Sequence, residues 1–154
     1  MKLLYACDDF VRAWVKDKIP HMADGDFGPS TAIGVVMGDR LIAGAVYHNW
    51  QPQYETIEMS VAAIRPNWTS RPIIHGLLAY VFETVGAYRL SMVTTEDNDR
   101  ARKLMKGLGF TPEGIAYRFF GQKNAAMYRL TRDEWKAGRF HIKDFDNGQV
   151  IETA

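Results

Sequence analysis

One succession constrains the fold more than any other feature of this sequence. Residues 54–110 read as strand, loop, helix, strand, helix. Tyr54–Ile64 alternates apolar with polar residues over its middle, the period of a strand. Arg65-Pro66-Asn67-Trp68-Thr69-Ser70-Arg71-Pro72 follows as a loop. From Ile73 to Val85 the apolar positions fall at 73, 74, 77, 78, 81, 82 and 85, a wide helical stripe that predicts packing on a sheet. A second strand spans Tyr88–Thr94, and a second helix closes at Gly107-Leu108-Gly109-Phe110. Two strands joined through a helix run parallel. The helix start after such a loop presents free N–H groups, where an anion can bind.

The rest of the chain builds a sheet around this unit. Lys2–Ala6 is a short strand, and Asp8 or Asp9 is expected to cap the helix whose face carries Phe10, Val11, Trp14, Val15 and Ile19. Pro20 stops that helix, and residues 21–30 form a loop. There Asp24 and Asp26 flank Gly25 as turn residues, without the later ligands a calcium loop needs. Runs 31–37 and 40–50 flank Gly38-Asp39, a two-residue hairpin signal. With Tyr54–Ile64 they predict an antiparallel meander. Gly86 ends the first long helix, and Asp97 or Thr95 caps the second, with Ala101, Leu104, Met105 and Leu108 inward. Runs 111–120 and 125–130 form a closing hairpin, and a short turn leads through Trp135. The expectation is one domain over residues 1–135 and a loosely packed tail over 136–154.

Composition narrows the classes. The 154 residues suffice for a core, and a net charge of +1 argues against general nucleic-acid binding. A single cysteine, Cys7, forms no internal disulfide, which points to a cytoplasmic protein. No run of about 18 apolar residues marks a membrane span. His21, His48, His75, His141 and Cys7 lack metal-ligand spacing, and no P-loop or dinucleotide fingerprint occurs.

The element order, and the segment Asn98-Asp99-Arg100-Ala101 through Leu104, Gly109-Phe110 and Glu113-Gly114, resemble the GNAT superfamily of acetyl-CoA-dependent N-acetyltransferases over about residues 1–135. Tyr80-Val81-Phe82 before Gly86, and Arg132-Asp133-Glu134-Trp135, are similar to its ribosomal-protein and small-molecule branch. The Trp-x-x-Arg loop followed by a helix resembles GNAT-like proteins encoded in phages and prophages. The resemblance implies an α+β fold with a mixed, mostly antiparallel sheet of six to seven strands and about four helices. It implies acetyl transfer from acetyl-CoA to a primary amine of a small molecule or protein, by direct attack in a ternary complex. A degenerate member serving as a ligand- or protein-binding module is the alternative, and a homodimer through a sheet edge stays open.

The family's pyrophosphate loop reads Gln/Arg-x-x-Gly-x-Gly/Ala. Here Arg65 keeps the first position, Trp68 replaces the first Gly, and Ser70 replaces the second small residue. Gly allows close approach and positive φ, and Trp does neither easily. Pro72 removes one helix-start N–H. Arg65 and Arg71 can bind phosphate bidentately, and Thr69 and Ser70 can donate hydroxyls. Trp68 as a core anchor and Arg71 as a solvated arginine are the plain alternatives. The cofactor contacts carried over are Ala62, Ile64, Arg65, Trp68, Thr69, Ser70, Arg71, Asn98 and Arg102.

An ammonium must lose its proton before it attacks, at a cost of about 4 kcal/mol near pH 7.5 for a lysine-like amine. Glu58 is the candidate base, with Glu55 as alternate and an ordinary strand glutamate as the plain reading. Many family members protonate the leaving thiolate with a tyrosine at the position of Met105, which carries no proton to give. The resemblance implies that Asn98 holds the cofactor arm, and Tyr117, Tyr128 or a water is the candidate donor, with a structural aromatic as the plain reading of each tyrosine. Tyr47, His48 and Trp50 are candidates to line the acceptor pocket.

Overall fold

The structure is a computed structural model that describes residues 1–22, 25–145 and, for the backbone, 151–153. Asp24 of the turn reading and residues 146–150 of the tail lie outside the described residues. The strands are β1 (Lys2–Tyr5), β2 (Ser30–Met37), β3 (Arg40–Gln51), β4 (Thr56–Ala63), β5 (Arg89–Thr95), β6 (Thr111–Phe120), β7 (Lys123–Thr131) and β8 (Ile151–Thr153). The helices are α1 (Asp8–Lys18), α2 (Arg71–Ala79), α3 (Asp99–Gly107) and α4 (Arg132–Ala137). The sheet order is β6-β7-β5-β4-β3-β2-β1-β8. The expected mixed, mostly antiparallel α+β sheet is therefore present, and β8 adds a short parallel strand beside β1. β1 to β4 form antiparallel neighbours in turn, β4 and β5 pair in parallel, and β7 joins β5 to β6.

Each face of the sheet buries one apolar layer. On one, Ile73, Ile74, Leu77 and Leu78 of α2 pack with Leu3, Tyr47, Leu90 and Trp135. On the other, Val11 and Val15 of α1 cover Ala32, Val36, Leu41 and Val46. Gly44 of β3 permits this closeness, because a Cβ there would stand 2.7 Å from Val15 Cγ2. Alternation along β4 puts Ile57 and Met59 in the first layer and turns Glu58, Ser60 and Ala62 toward the α1 side.

Several ends differ from expectation. Cys7, with no side-chain bond, precedes α1, and Asp8 and Asp9 lie in its first turn. There they still face the positive end of the helix dipole. Asn98 caps α3 by accepting from the Ala101 N–H, in place of Asp97 or Thr95. The stripe expected as one helix is α2 followed by a π-helical segment, Tyr80–Val85, where Gly86 N–H bonds Val81 C=O (3.1 Å). Gly86 then takes φ 83° and ends it. Thr131 and Glu134 form a reciprocal capping box at α4.

Beyond residue 135 the chain keeps packing. Phe140 is buried, Trp135 Nε1 donates to its carbonyl (3.1 Å), and Ile142 N–H donates to His75 Nδ1 (3.0 Å).

Candidate active site

The sheet is forked. β4 and β5 stay in register for three pairs, Thr56↔Arg89, Ile57↔Leu90 and Glu58↔Ser91, and then part. Past that point β4 pairs only with β3, and β5 only with β7. A cleft of about 420 Å³ opens between them, walled by Met59–Ala63, Met92–Thr94, and Asn98, Ala101, Leu104 and Met105 from α3. Ile64 N–H bonds Ile42 C=O (2.9 Å) on β3. The alternation of an antiparallel ladder therefore turns the N–H groups of Ala63 and Val61 toward the open side. A linear amide-bearing chain laid in the fork would take the place of the missing strand edge.

The cleft is cationic. Lys18, Arg100 and Lys103 line it together with Thr69, and among the described residues no carboxylate does. The loop entering α2 forms a 3₁₀ turn, Pro66–Trp68, with Ser70 in extended conformation before the helix. No residue from 65 to 70 has positive φ. This loop does not use the conformation that glycine supplies, which is how Trp68 is accommodated. Its indole is buried in the α2-side layer, the core-anchor reading, while also edging the cleft. Ser70 makes no capping bond with its side chain. A narrow apolar fork with three cations and no anion fits a long thiol arm ending in phosphates. The fit is weaker at the helix start, where Pro72 lacks an N–H.

A second groove, of about 290 Å³, lies on the α1 side of the sheet and shares Val93 with the cleft. Glu58, Ser91, Arg89, Glu113, Ile115 and Met127 line it. Arg89 and Arg129 pair with Glu113, and the bond from Arg89 holds the Glu113 carboxyl below the usual range despite partial desolvation. Glu58 thus stands in the groove where it meets the fork.

Behind Glu58 lies His48, directly across on β3. His48 Nε2 hydrogen-bonds Ser60 Oγ (2.9 Å), and its Nδ1 lies 3.7 Å from Glu58 Oε2. Asn49 Nδ2 donates to Glu58 Oε1 (3.1 Å). Burial pushes the His48 pKa below its usual value, and the Glu58 charge opposes that shift. Ser60 itself lines the cleft.

Of the residues singled out in the sequence, Ala62, Trp68, Thr69 and Asn98 line the cleft, and Glu58 stands in the adjoining groove. Ile64, Arg65, Ser70, Arg71 and Arg102 are not on the cleft lining. Arg71 donates to the carbonyls of Arg139 (2.6 Å) and His141 (3.4 Å), and Arg65 donates to the Met37 sulfur (3.6 Å). Arg102 donates to Tyr128 Oη (3.0 Å) and to the Glu96 carbonyl (3.0 Å). Tyr128 is buried opposite Met92, with its hydroxyl toward Arg102 of α3, and it also borders the second groove. Tyr117 is 82% exposed and lies in a separate surface hollow with Glu96, Arg118 and Lys123. Tyr47 faces the core, its hydroxyl donating to the Leu77 carbonyl (2.8 Å), so it does not line the acceptor groove.

Strand alternation puts Ser60 on the same face as Glu58 and Ala62 but gives it no chemical role, and Lys18, Arg100 and Lys103 were passed over. Helical spacing carried a usable signal for two of them. Arg100 and Lys103 flank Leu104 on α3, whereas Arg102 sits two residues from it, on the opposite side.

No family model matches this sequence, and no curated protein matches it. Solved structures do match in fold. A chimera of spermidine N-acetyltransferase SpeG from Vibrio cholerae and hSSAT superposes with TM-score 0.62 at 14% identity, over 72% of each chain. A probable acetyltransferase gives TM-score 0.58 at 21% identity, over 73% of this chain and 66% of that one. A protein from T. thermophilus, provisionally assigned as an acetyltransferase, gives 0.61 at 18%, over 70% and 62%. The chain thus spans slightly less than two thirds of the last two. The fold is that of GNAT-type acetyltransferases.

Proposed function

We propose that this protein transfers an acetyl group from acetyl-CoA to a primary amine by direct attack within a ternary complex. The observation that carries the reading is the fork. Strands part after Glu58 and Ser91, the gap is lined by cations without a carboxylate among the described residues, and a groove bearing Glu58 adjoins it at Val93.

Acetyl-CoA supplies an activated thioester carbonyl. The open N–H groups of Val61 and Ala63 bind its amide-bearing arm, with Asn98 beside them. Lys18, Arg100 and Lys103 balance the phosphate charge, assisted by the Thr69 hydroxyl. The acceptor amine enters through the second groove and loses its proton at the Glu58 end. A site that excludes water strengthens each of these charge interactions.

A binding module without turnover is the second reading. It is favoured by Arg71, which is spent on the carbonyls of Arg139 and His141. The test is CoA release from acetyl-CoA over a panel of primary amines that includes spermidine, the amine in the name of one structural neighbour. Amine-dependent CoA release is expected. Saturable acetyl-CoA binding with no release for any amine would favour the binding module.

A further inference from the structure

We propose that His48, reached through the hydroxyl of Ser60, is the group that takes the amine's proton, and that Glu58 positions His48 instead of serving as the base itself. This rests on the acetyltransferase reading above.

The argument starts from register. Ser30, His48, Glu58 and Ser91 form one row across β2, β3, β4 and β5, all on the α1 side. Ser60 is two residues beyond Glu58 on β4, hence diagonal to His48, the separation at which cross-strand side chains still touch. The three side chains are linked in order. Ser60 Oγ lies 2.9 Å from His48 Nε2, and His48 Nδ1 lies 3.7 Å from Glu58 Oε2. Of the three, Ser60 lines the cleft and Glu58 lines the groove, with His48 behind both.

The order of these bonds assigns roles. For Nε2 to accept from the Ser60 hydroxyl, the proton of neutral His48 sits on Nδ1, facing Glu58. Asn49 holds the other oxygen of that carboxylate (3.1 Å). The remaining neighbours of His48 are the Phe27 ring at 5.1 Å and Ser30 on β2. Ser30 Oγ accepts from Arg12 (2.7 Å), whose charge is balanced by Asp9. Glu58 is thus the only carboxylate in contact with the imidazole among the described residues.

The chemistry balances through this chain. The amine nitrogen gives its lone pair to the acetyl carbon as the carbon–sulfur bond breaks, its pair leaving on sulfur. The nitrogen's surplus proton passes to Ser60 Oγ while the Ser60 proton passes to His48 Nε2. Run backwards, the same chain returns that proton to the departing sulfur. This answers the want of a donor at Met105, since Tyr117 lies in a separate hollow and the Tyr128 hydroxyl is held by Arg102. The ammonium's first proton leaves to water before attack; the second, taken by His48 and returned to the thiolate, leaves the enzyme unchanged.

The test combines two readouts. In wild-type protein, ¹⁵N spectra of His48 should show the neutral ring with Nε2 unprotonated at pH 7 and a midpoint below its ordinary value. This measurement needs no variant to fold. An Nδ1-unprotonated ring would overturn the proposal. Kinetics with acetyl-CoA and an amine that the wild type acetylates then separates the roles. Ser60→Ala and His48→Gln should each lower kcat about a hundredfold with the KM for acetyl-CoA unchanged. His48→Gln should also remove the acid limb of the pH profile. Glu58→Gln should lower kcat less, about tenfold, and move the acid limb to lower pH, because the charge that raises the His48 pKa is gone. The opposite ranking, with Glu58→Gln most damaging and His48→Gln mild, would overturn the relay while leaving the transferase intact. So would an acetylated Ser60 peptide after mixing with acetyl-CoA alone. Absence of wild-type CoA release with every amine would sink the transferase reading, and the relay's role with it.

Discussion

Glu58 of β4 and Ser91 of β5 are the last residues at which these parallel strands face each other in register. Everything assigned to the cleft depends on the opening beyond them. A bulky residue in that opening should therefore block it. Ala101 of α3 lines the cleft without being fully buried. Ala101→Phe is expected to weaken acetyl-CoA binding tenfold or more, about 1.4 kcal/mol, by calorimetry. Its far-ultraviolet spectrum should stay unchanged.

The arginine that the sequence recommends for phosphate should read out on stability. Arg71 ties the carbonyls of Arg139 and His141 to the start of α2. Arg71→Ala loses bonds worth about 1 kcal/mol, so Tm should fall by roughly 2–4 °C with acetyl-CoA affinity little altered. Arg100→Ala with Lys103→Ala should do the reverse. Affinity should drop about fivefold at low salt, and the deficit should shrink as salt screens the remaining charges. A rise in KM from Arg71→Ala alone would contradict this division.

Restoring the family's glycine should not restore a phosphate loop. Trp68 is buried against the α2-side core, and its loop has no positive φ to relieve. Trp68→Gly is expected to cost about 3–5 kcal/mol in denaturant unfolding, as large-to-small core changes do. It should leave acetyl-CoA no more tightly bound in whatever fraction stays folded.

Acid should loosen the segment after α4. Burial is the main cause that holds the His75 pKa below its ordinary value of 6.5, and its Nδ1 accepts the Ile142 N–H. Protonating Nδ1 removes that acceptor. The unfolded chain then binds more protons than the folded one below pH 6.5, so stability is complete above that pH and declines as pH falls toward the folded midpoint. His48, shifted the same way, adds to the slope. Tm measured between about pH 7.5 and 5.5 should fall, and His75→Asn should flatten the fall. An unchanged slope in that variant would contradict the assignment.

What the sequence disclosed follows from the range of the interactions. The Gly38-Asp39 turn and the Gly86 stop are written in neighbouring residues, and each appears where expected; the stripe at 73–85 is buried as far as Phe82, but its change to π-helical winding at Tyr80 is not written in its spacing. Glu58 draws notice in the sequence because a carboxylate in a strand is conspicuous, and the structure puts it on a groove lining. Alternation puts Ser60 on the same face, but its bond to His48 was not legible, because it depends on the β3–β4 register, which no local pattern specifies. The partners of Arg71 were out of reach for a related reason: they lie 68 and 70 residues along the chain. Trp68 sits at a glycine position of the family pattern, yet the loop solved its geometry with a 3₁₀ turn that the pattern does not encode.

The central claim is that the fork after Glu58 and Ser91 is an acetyl-CoA site. Calorimetric titration of the purified protein with acetyl-CoA, with CoA as control, tests it most directly. The expected result is one site of micromolar affinity, weakened by Ala101→Phe and by the Arg100/Lys103 double variant. No heat of binding at millimolar acetyl-CoA would contradict the account and leave an acetyltransferase-shaped scaffold without its co-substrate.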